Sequence, residues 1–219
     1  MKILAVSDFH GSFEASEKAA LKAKGVRAEF LIVGGDITHF GSLGDAEKVL
    51  SPLIALKSRV LFVPGNCDPP ELTETKIEGA VCIHGRCENY RDVTLLGVGG
   101  GPISHFRTPF EMTEKEIAGV LNQGLKECSL KRWFTVVSHS APRDTKVDLA
   151  YNGKHIGSIS LKKFIQDKKP DIVFCGHVHE AGGIDYISDT TIVNCGPARY
   201  GNCAVANFNE KIEVQLERL

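Results

Sequence analysis

The sequence predicts an α/β protein in which two sheets pack together beneath outer helices. Two observations lead to this prediction. Short β-branched runs alternate with helical periodicity over the first two-thirds of the chain, a pattern typical of βαβ units and a parallel sheet. After residue 180 the helical periodicity stops, and short strand-like runs separated by turns favour antiparallel hairpins.

The strands are predicted from apolar, β-branched runs that are bounded by turn residues. In the first part of the chain they cover residues 2–7, 29–33, 59–63, 93–98, 133–138 and 171–175. Four further strands form the predicted hairpins, at residues 183–187, 190–193, 203–208 and 212–216. A parallel sheet followed by an antiparallel one is therefore expected.

Four helices are predicted from capping residues and from the spacing of apolar residues. The first follows Ser12, and the side chains expected to face the core are Phe13, Ala20 and Leu21. The second opens near Asp45, and Pro52 leaves its continuity open. A Thr-x-x-Glu capping box at 113–116 opens the third, and the fourth covers 158–169.

Length and composition indicate a single globular domain over residues 1–219, with a net charge of −1 and no apolar run long enough for a membrane span. Neither a membrane partner nor a strong nucleic-acid signal is expected, and the protein is predicted to be cytoplasmic. The densest basic run fits a solvated helix face and comprises Lys162, Lys163, Lys168 and Lys169. Most of the seven cysteines are expected to be buried and unpaired in a reducing compartment.

Polar side chains follow five of the predicted strands directly. The runs are Ser7-Asp8-Phe9-His10, Gly34-Gly35-Asp36, Pro64-Gly65-Asn66-Cys67-Asp68, Ser138-His139 and Gly176-His177-Val178-His179. Because an open α/β sheet presents a crevice at the carboxyl ends of its strands, we expect these side chains to lie close together.

Carboxylate, imidazole and amide oxygen without thiolate form a donor set that suits Mn²⁺, Fe²⁺, Ni²⁺ or Zn²⁺. Each motif alone is weak evidence: Asp-x-His is common by chance, and His139 alone would more often be a core histidine. Their occurrence together, in order and at strand ends, favours a metal site. A carboxylate shared by two ions allows a bridging hydroxide to attack phosphorus in line.

In this combination the sequence resembles the calcineurin-like metallophosphoesterase family, whose signature is Asp-x-His, Gly-Asp, Gly-Asn-His-Asp or Gly-Asn-His-Glu, a lone His, and Gly-His-x-His. The match spans residues 8–179. The resemblance implies a four-layer α/β/β/α sandwich of two mixed sheets flanked by helices. It also implies two divalent ions: one held by Asp8, His10, Asp36 and His179, and the other by Asp36, Asn66, His139 and His177.

One position departs from the family pattern. Cys67 stands where the family has a histidine that helps to protonate the leaving group, beside the acidic Asp68. A thiol with an ordinary pKa near 8.5 is a poorer proton donor at neutral pH, and a space-filling role is an equal alternative. The Gly-Asn-Cys-Asp variant resembles small microbial family members described as phosphodiesterases. Asn66, Cys67 and Asp68 are the candidate catalytic residues of this loop.

A further candidate for protonating the leaving group is His155, which precedes a helix N-terminus that favours bound phosphate. His155 is therefore a candidate both for catalysis and for substrate binding. Asn66 and His105 are additional candidate substrate contacts. His39 and His84 are predicted to be structural or surface residues.

These observations favour a binuclear metal-dependent phosphoesterase that hydrolyses small phosphodiesters, nucleotide-derived ones included. Two alternatives stay open: a phosphomonoesterase, and a non-catalytic protein-interaction scaffold on the same fold. The presence of every expected ligand argues against the scaffold. Exposed antiparallel edges near the C-terminus leave a homodimer open.

Overall fold

The computed structural model describes residues 1–219 and contains two six-stranded sheets and one two-stranded sheet. The strands are β1 Lys2–Val6, β2 Phe30–Val33, β3 Arg59–Phe62, β4 Ala80–Cys82, β5 Cys87–Tyr90, β6 Val93–Val98, β7 Gly101–Pro102, β8 Glu111–Met112, β9 Trp133–Ser138, β10 Ile172–Cys175, β11 Gly183–Ile187, β12 Thr190–Asn194, β13 Asn202–Phe208 and β14 Ile212–Arg218.

Four α-helices accompany the sheets: α1 Phe13–Val26, α2 Leu43–Ile54, α3 Glu114–Lys126 and α4 Ile159–Lys168. Each begins after a hydroxyl residue whose side-chain oxygen accepts an N–H of the first turn, which satisfies a donor that the helix leaves free. These residues are Ser12, Ser42, Thr113 and Ser158. None of the helices combines the length and apolar character that a membrane crossing needs.

Both large sheets are mixed. The first has the strand order β14-β13-β1-β2-β3-β4, and the second has the order β11-β12-β10-β9-β6-β5. In the first sheet β1 to β4 run parallel, and β13 and β14 are antiparallel to their neighbours. In the second sheet β6, β9, β10 and β12 run parallel, with an antiparallel strand at each edge.

The core consists of three apolar layers, and β1 shows how they arise. Leu4 and Val6 face a cluster shared with α1 and α2, whereas Ile3 and Ala5 face a cluster between the two large sheets. This alternation follows from the two-residue period of a strand. A third cluster lies between the second sheet and helices α3 and α4. The four-layer α/β/β/α architecture is confirmed.

Helix α1 packs through small side chains, and the predicted inward face was wrong for Phe13 and Leu21. Phe13 is 38% exposed and Leu21 is 71% exposed. The buried residues are Ala15, Ser16, Ala19, Ala20 and Ala23. These small residues allow α2 to approach closely, and the Ser16 hydroxyl donates to the carbonyl of Val49 at 2.5 Å.

Helix α2 continues through Pro52 to Ile54. Proline has no N–H, so the carbonyl of Lys48 loses its normal helical donor. The Ser51 hydroxyl donates to that carbonyl at 2.8 Å. The continuity that the sequence left open is therefore explained by a local replacement hydrogen bond.

The two C-terminal hairpins join different sheets, so the predicted division into a parallel and an antiparallel sheet was wrong. Each hairpin is antiparallel, as predicted. However, β12 also pairs in parallel with β10, and β13 also pairs with β1. Each hairpin completes an exposed edge of a parallel core, an arrangement that local sequence patterns do not specify.

The sequence reasoning missed strands β4, β5, β7 and β8, all four residues or shorter. It also missed the disulfide that joins Cys87 of β5 to Cys128 after α3, whose Cα atoms lie 5.4 Å apart. The expectation of unpaired cysteines was therefore wrong for this pair. The other five cysteines are buried and unpaired, as predicted.

Glu114 of α3 joins the two outer helices of the second sheet. Its carboxylate accepts hydrogen bonds from the Ser160 amide at 2.7 Å, the Ile159 amide at 3.1 Å and the Ser158 hydroxyl at 2.8 Å. A negative charge at the N-terminus of α4 is also favoured by the helix dipole. Partial burial opposes ionisation, but these hydrogen bonds outweigh it and hold the pKa of Glu114 below its ordinary value.

We predict that Glu114→Gln destabilises the fold by about 1–2 kcal/mol at pH 7, because charge-assisted hydrogen bonds to the start of α4 are lost. Since the folded-state pKa of Glu114 is lowered, the carboxylate stabilises the fold above its unfolded pKa of 4.5, and the difference between variant and wild type should shrink below that pH. Urea unfolding at pH 7 and at a pH below 4.5 measures the difference in the free energy of unfolding between variant and wild type. Exposed Glu47→Gln is the control. Equal destabilisation at both pH values would contradict the electrostatic explanation.

Candidate metal centre

The predicted ligands lie on loops at the carboxyl ends of β1, β2, β3, β9 and β10. Backbone hydrogen bonds hold the first two loops side by side. The amide of Asp8 donates to the carbonyl of Gly35 at 2.9 Å, and the amide of His10 donates to the carbonyl of Asp36 at 2.8 Å. The strand ends therefore bring together side chains that are about thirty residues apart in the chain, as predicted from the sequence.

A first group of donor atoms comprises Asp8 Oδ1, His10 Nε2, Asp36 Oδ2 and His179 Nε2. His10 Nε2 lies 3.0 Å from His179 Nε2, 3.5 Å from Asp36 Oδ2 and 3.9 Å from Asp8 Oδ1. His179 Nε2 lies 3.4 Å from Asp8 Oδ1. Atoms that each lie about 2.0–2.2 Å from one shared ion are roughly 3–4 Å apart, so the donors of Asp8, His10 and His179 fit a single divalent ion, and Asp36 borders this group through its contact with His10.

A second group of donors lies on the other side of Asp36. His139 Nε2 is 2.8 Å from Asn66 Oδ1 and 3.4 Å from Asp36 Oδ1. The rings of His139 and His177 are edge to face with centroids 5.0 Å apart. Because the carbonyl of Gly34 lies 2.8 Å from His139 Nδ1, it fixes the ring with Nε2 toward the donor group.

Two glycines allow the loops to approach one another. A Cβ atom at Gly65 would overlap the backbone and carboxylate of Asp36. A Cβ atom at Gly176 would overlap Ser7 and the carboxylate of Asp8. Any larger residue at these two positions must therefore displace a predicted metal ligand.

Four ligand residues adopt the left-handed backbone conformation that non-glycine residues rarely adopt. The φ angles are 59° at Asp8, 47° at His10, 47° at Asp36 and 69° at His177. Such conformations are unfavourable by about 1–3 kcal/mol each and concentrate at functional sites. The loop hydrogen bonds between neighbouring strands maintain this conformation at Asp8, His10 and Asp36.

The carboxylates of the cluster have no lysine or arginine partner. Every ion-pair contact of Asp8 and Asp36 is with a histidine. Burial raises the pKa of Asp36 to about 6. At Asp8 burial is outweighed by the contacts with His179 and His139, which lower its pKa to about 2. A buried, anionic pair without a fixed cation is a fitting site for bound cations.

The histidines divide into two electrostatic classes. Burial lowers the pKa of His10 to about 4 and the pKa of His177 to about 3, which leaves both neutral and ready to ligate. At His139 burial is outweighed by the attraction of Asp36 and Asp8, and the pKa is raised. The hydrogen bond to Asp8 raises the pKa of His179.

Asp68 holds the loop after β3 against the loop after β2. Its buried carboxylate accepts hydrogen bonds from the amides of Ile37 at 3.0 Å, Thr38 at 2.7 Å and Gly65 at 2.8 Å, and from the Thr38 hydroxyl. Both oxygens are engaged by these donors. Asp68 therefore holds the loop that carries Asn66 against the loop that carries Asp36.

Cys67 is buried between the two loops, and its backbone amide donates to Asp36 Oδ1 at 2.8 Å. The Asn66 amide group lies 3.5 Å from the sulfur. Burial, together with the nearby Asp36 carboxylate, raises the pKa of the Cys67 thiol well above its ordinary value. The thiol is therefore neutral at physiological pH.

Two other candidates lie apart from the ligands. His155 Nδ1 is 2.7 Å from the carboxylate of Asp148, a buried residue that also accepts the amides of Thr145 and Gly157, and no hydrogen bond links His155 to a metal ligand. His105 is exposed in the loop between β7 and β8 and belongs to none of the potential metal-donor groups. The structure does not bring either histidine into the cluster.

His39 is exposed, as predicted, and its ring also lies against a predicted metal ligand. Its Nδ1 lies 3.2 Å from His10 Nδ1, and the rings are edge to face with centroids 5.2 Å apart. With Cys67 these two histidines form a third group of potential metal donors. The sequence signal for this contact is the position of His39 three residues after Asp36, on the same loop.

The model of the calcineurin-like phosphoesterase family matches residues 1–181. The chain belongs to the calcineurin-like phosphoesterase family. An uncharacterized protein of Methanocaldococcus jannaschii is 36% identical over 206 residues, which cover 91% of this chain and 90% of that protein.

Solved structures share the fold of this phosphoesterase at low sequence identity. A Thermus thermophilus protein superposes with a TM-score of 0.76 at 17% identity, covering 99% of this chain and 98% of that one. A dimetal phosphatase from Danio rerio superposes with a TM-score of 0.69 at 12% identity, covering 100% and 96% of the two chains. The family uses divalent metals, and the donor groups of this phosphoesterase fit them.

We predict that Mn²⁺ binding to the phosphoesterase releases more protons near pH 6 than above pH 8, because ligands must be deprotonated. Asp36, with a pKa of about 6, and the histidines with raised pKa values carry the protons that an ion displaces. The affinity for Mn²⁺ should therefore increase between pH 6 and pH 8. Calorimetry in buffers of different ionisation enthalpy counts the protons, and no release at pH 6 would contradict the assigned ligands.

Proposed function

We propose that this phosphoesterase is a binuclear metal-dependent phosphodiesterase that acts on small diesters. The observation that supports it best is the position of Asp36. One carboxylate oxygen faces His10 and the other faces His139, so a single side chain contributes to both donor groups. A carboxylate in this position can hold two ions close enough to act on one phosphate group.

The charge of the site favours a diester over a monoester. No lysine or arginine pairs with Asp8 or Asp36, and Asn66 adds a neutral donor. In this proposal the bound ions supply the neutralisation of the phosphate. A singly charged diester requires less neutralisation than a doubly charged monoester, which agrees with this arrangement.

Each residue of the cluster has a distinct task in the proposed reaction. Asp36 fixes the spacing of the two donor groups, His139 and Asn66 orient the second group, and Asp8 with His179 completes the first. Two divalent ions held there would supply charge neutralisation and a water acidified toward neutrality. The loop hydrogen bonds to Asp68 keep Asn66 and Cys67 in place during turnover.

An aromatic surface beside the cluster supports a substrate that carries a flat ring, such as the base of a nucleotide-derived diester. The Phe40 ring is 57% exposed, and its centroid lies 4.6 Å from that of His39. His39 in turn contacts the predicted ligand His10. Base stacking on aromatic side chains contributes about 1–3 kcal/mol per base, so this surface would favour nucleotide-derived over alkyl diesters.

The test compares metal-stripped protein with and without Mn²⁺, Ni²⁺, Zn²⁺ or Mg²⁺ on bis(p-nitrophenyl) phosphate and p-nitrophenyl phosphate. We predict metal-restored hydrolysis with a higher kcat/KM for the diester. Asp36→Asn should lower kcat by about 10²–10³-fold or more, because the shared carboxylate is lost. Exposed Glu47→Gln is the control for handling and metal loading.

The other outcomes identify the alternatives. A higher kcat/KM for the monoester would replace the diesterase proposal with a phosphomonoesterase. Ion binding without hydrolysis of either ester, or of a panel of nucleotide diesters, would contradict a general diesterase. Failure to bind ions at all would favour a protein-interaction scaffold on the same fold.

Cys67 provides a separate prediction about the leaving group. Because the pKa of its thiol is raised, the thiol holds its proton too tightly to donate it efficiently at neutral pH. We predict that Cys67→Ala lowers kcat by less than about tenfold for both a p-nitrophenyl ester and an alkyl ester, less than the usual effect of losing a general acid. A loss confined to the alkyl ester, which needs a protonated leaving group, would show instead that Cys67 is a proton donor.

A further inference from the structure

His39 lies behind the predicted metal ligand His10, on the side away from the ion. Through Nε2, His10 faces Asp36, Asp8 and His179. Through Nδ1 it faces His39 Nδ1 at 3.2 Å, and this is the hydrogen bond that the nitrogen forms. The His10 side chain is only 6% exposed, so water has little access to it.

The loop after β2 is held so that the His39 ring stays in this place. The two residues before it, Ile37 and Thr38, donate their amides to Asp68. The residue after it, Phe40, donates its amide to the carbonyl of Cys67 at 3.0 Å and packs its ring against His39. His39 is thus fixed from both sides although its side chain is exposed.

The chemistry of imidazole determines what this contact requires. A neutral imidazole carries one proton, so a ring that offers its Nε2 lone pair to a cation must carry the proton on Nδ1. His10 therefore needs a hydrogen-bond acceptor at Nδ1. The Nδ1 atom of His39 can accept this hydrogen bond when the proton of His39 is on its own Nε2.

We propose that His39 is the positioning residue of the metal ligand His10: it accepts the hydrogen bond of His10 Nδ1–H and thereby fixes the tautomer and the ring orientation that present Nε2 to the ion. This inference rests on the metal-binding role proposed for His10 and is independent of which ester is hydrolysed. Ligand histidines usually donate their second nitrogen to such an outer partner. Here that partner is a second histidine on the neighbouring loop.

The experiment measures ion binding to the metal-free full-length protein by Mn²⁺ titration with a competing chelator. His39→Ala should weaken the binding of one of the two ions by about 10–100-fold, which is the usual effect of losing an outer partner. His39→Asn should restore most of the affinity, because its side-chain oxygen branches from the same position as Nδ1. Exposed His105→Ala is the control and should bind as the wild type does.

Counting the ions bound per chain distinguishes a positioning role of His39 from a role as a metal ligand. If His39 were itself a ligand, with Cys67, of a separate ion, His39→Ala would lower the number of ions bound. Under the proposal the number stays at two at saturating Mn²⁺ and only the affinity changes. A lower number, or equally weak binding by His39→Ala and His39→Asn in folded proteins, would overturn the proposal.

A second readout detects the proton directly. In the Zn²⁺-loaded protein with ¹⁵N-labelled histidine, NMR should show the proton of His10 on Nδ1, protected from exchange in the wild type and in His39→Asn but not in His39→Ala. A proton on His10 Nε2 would overturn the proposal.

If the wild type binds two ions but hydrolyses no ester, the proposed function fails and this inference stands. If hydrolysis depends on metal but His39→Ala binds as the wild type does, this inference alone fails.

Discussion

The candidate site depends on a buried carboxylate whose ion-pair partners are histidines alone. Asp36 is 2% exposed, no lysine or arginine pairs with it, and burial raises its pKa. A buried carboxylate with such partners is a fitting site for a bound cation. The divalent ions proposed above would satisfy the electrostatics of the loops around Asp36, with one carboxylate oxygen facing His10 and the other facing His139.

The two sheets contribute different parts of this arrangement. The first sheet supplies Asp8, His10, Asp36 and Asn66, and the second supplies His139, His177 and His179. The apolar layer between the sheets, which includes Ile32 of β2 and Val137 of β9, therefore sets the distance between the two sets of ligands. Since close-packed cores transmit strain, a substitution in this layer should change the distances between the predicted ligands.

Much of the fold and the ligand set followed from local physical rules. Capping residues located helices, and β-branched runs located the longer strands. Polar residues placed directly after strands indicated candidate ligands, and the structure brings these side chains together. The inward face of α1 was mispredicted because alanine gives a weak periodic signal beside Phe13 and Leu21. The contact of His39 with His10 could not be predicted because it depends on how two loops 29 residues apart meet in space. The sheet that each C-terminal hairpin joins is likewise a long-range choice.

The pairing of β1 with β13 also determines when the site can form during synthesis. Residues 3–5 of β1 pair with residues 204–206, and the amide of Arg199 donates to the carbonyl of Asp8. The loop that carries Asp8 and His10 thus depends on a segment that is synthesised almost two hundred residues later. Contacts of such high sequence separation form slowly, since a long loop must close first. On the ribosome, the pairing that holds the loop of Asp8 and His10 therefore cannot form until residues 199–206 have emerged.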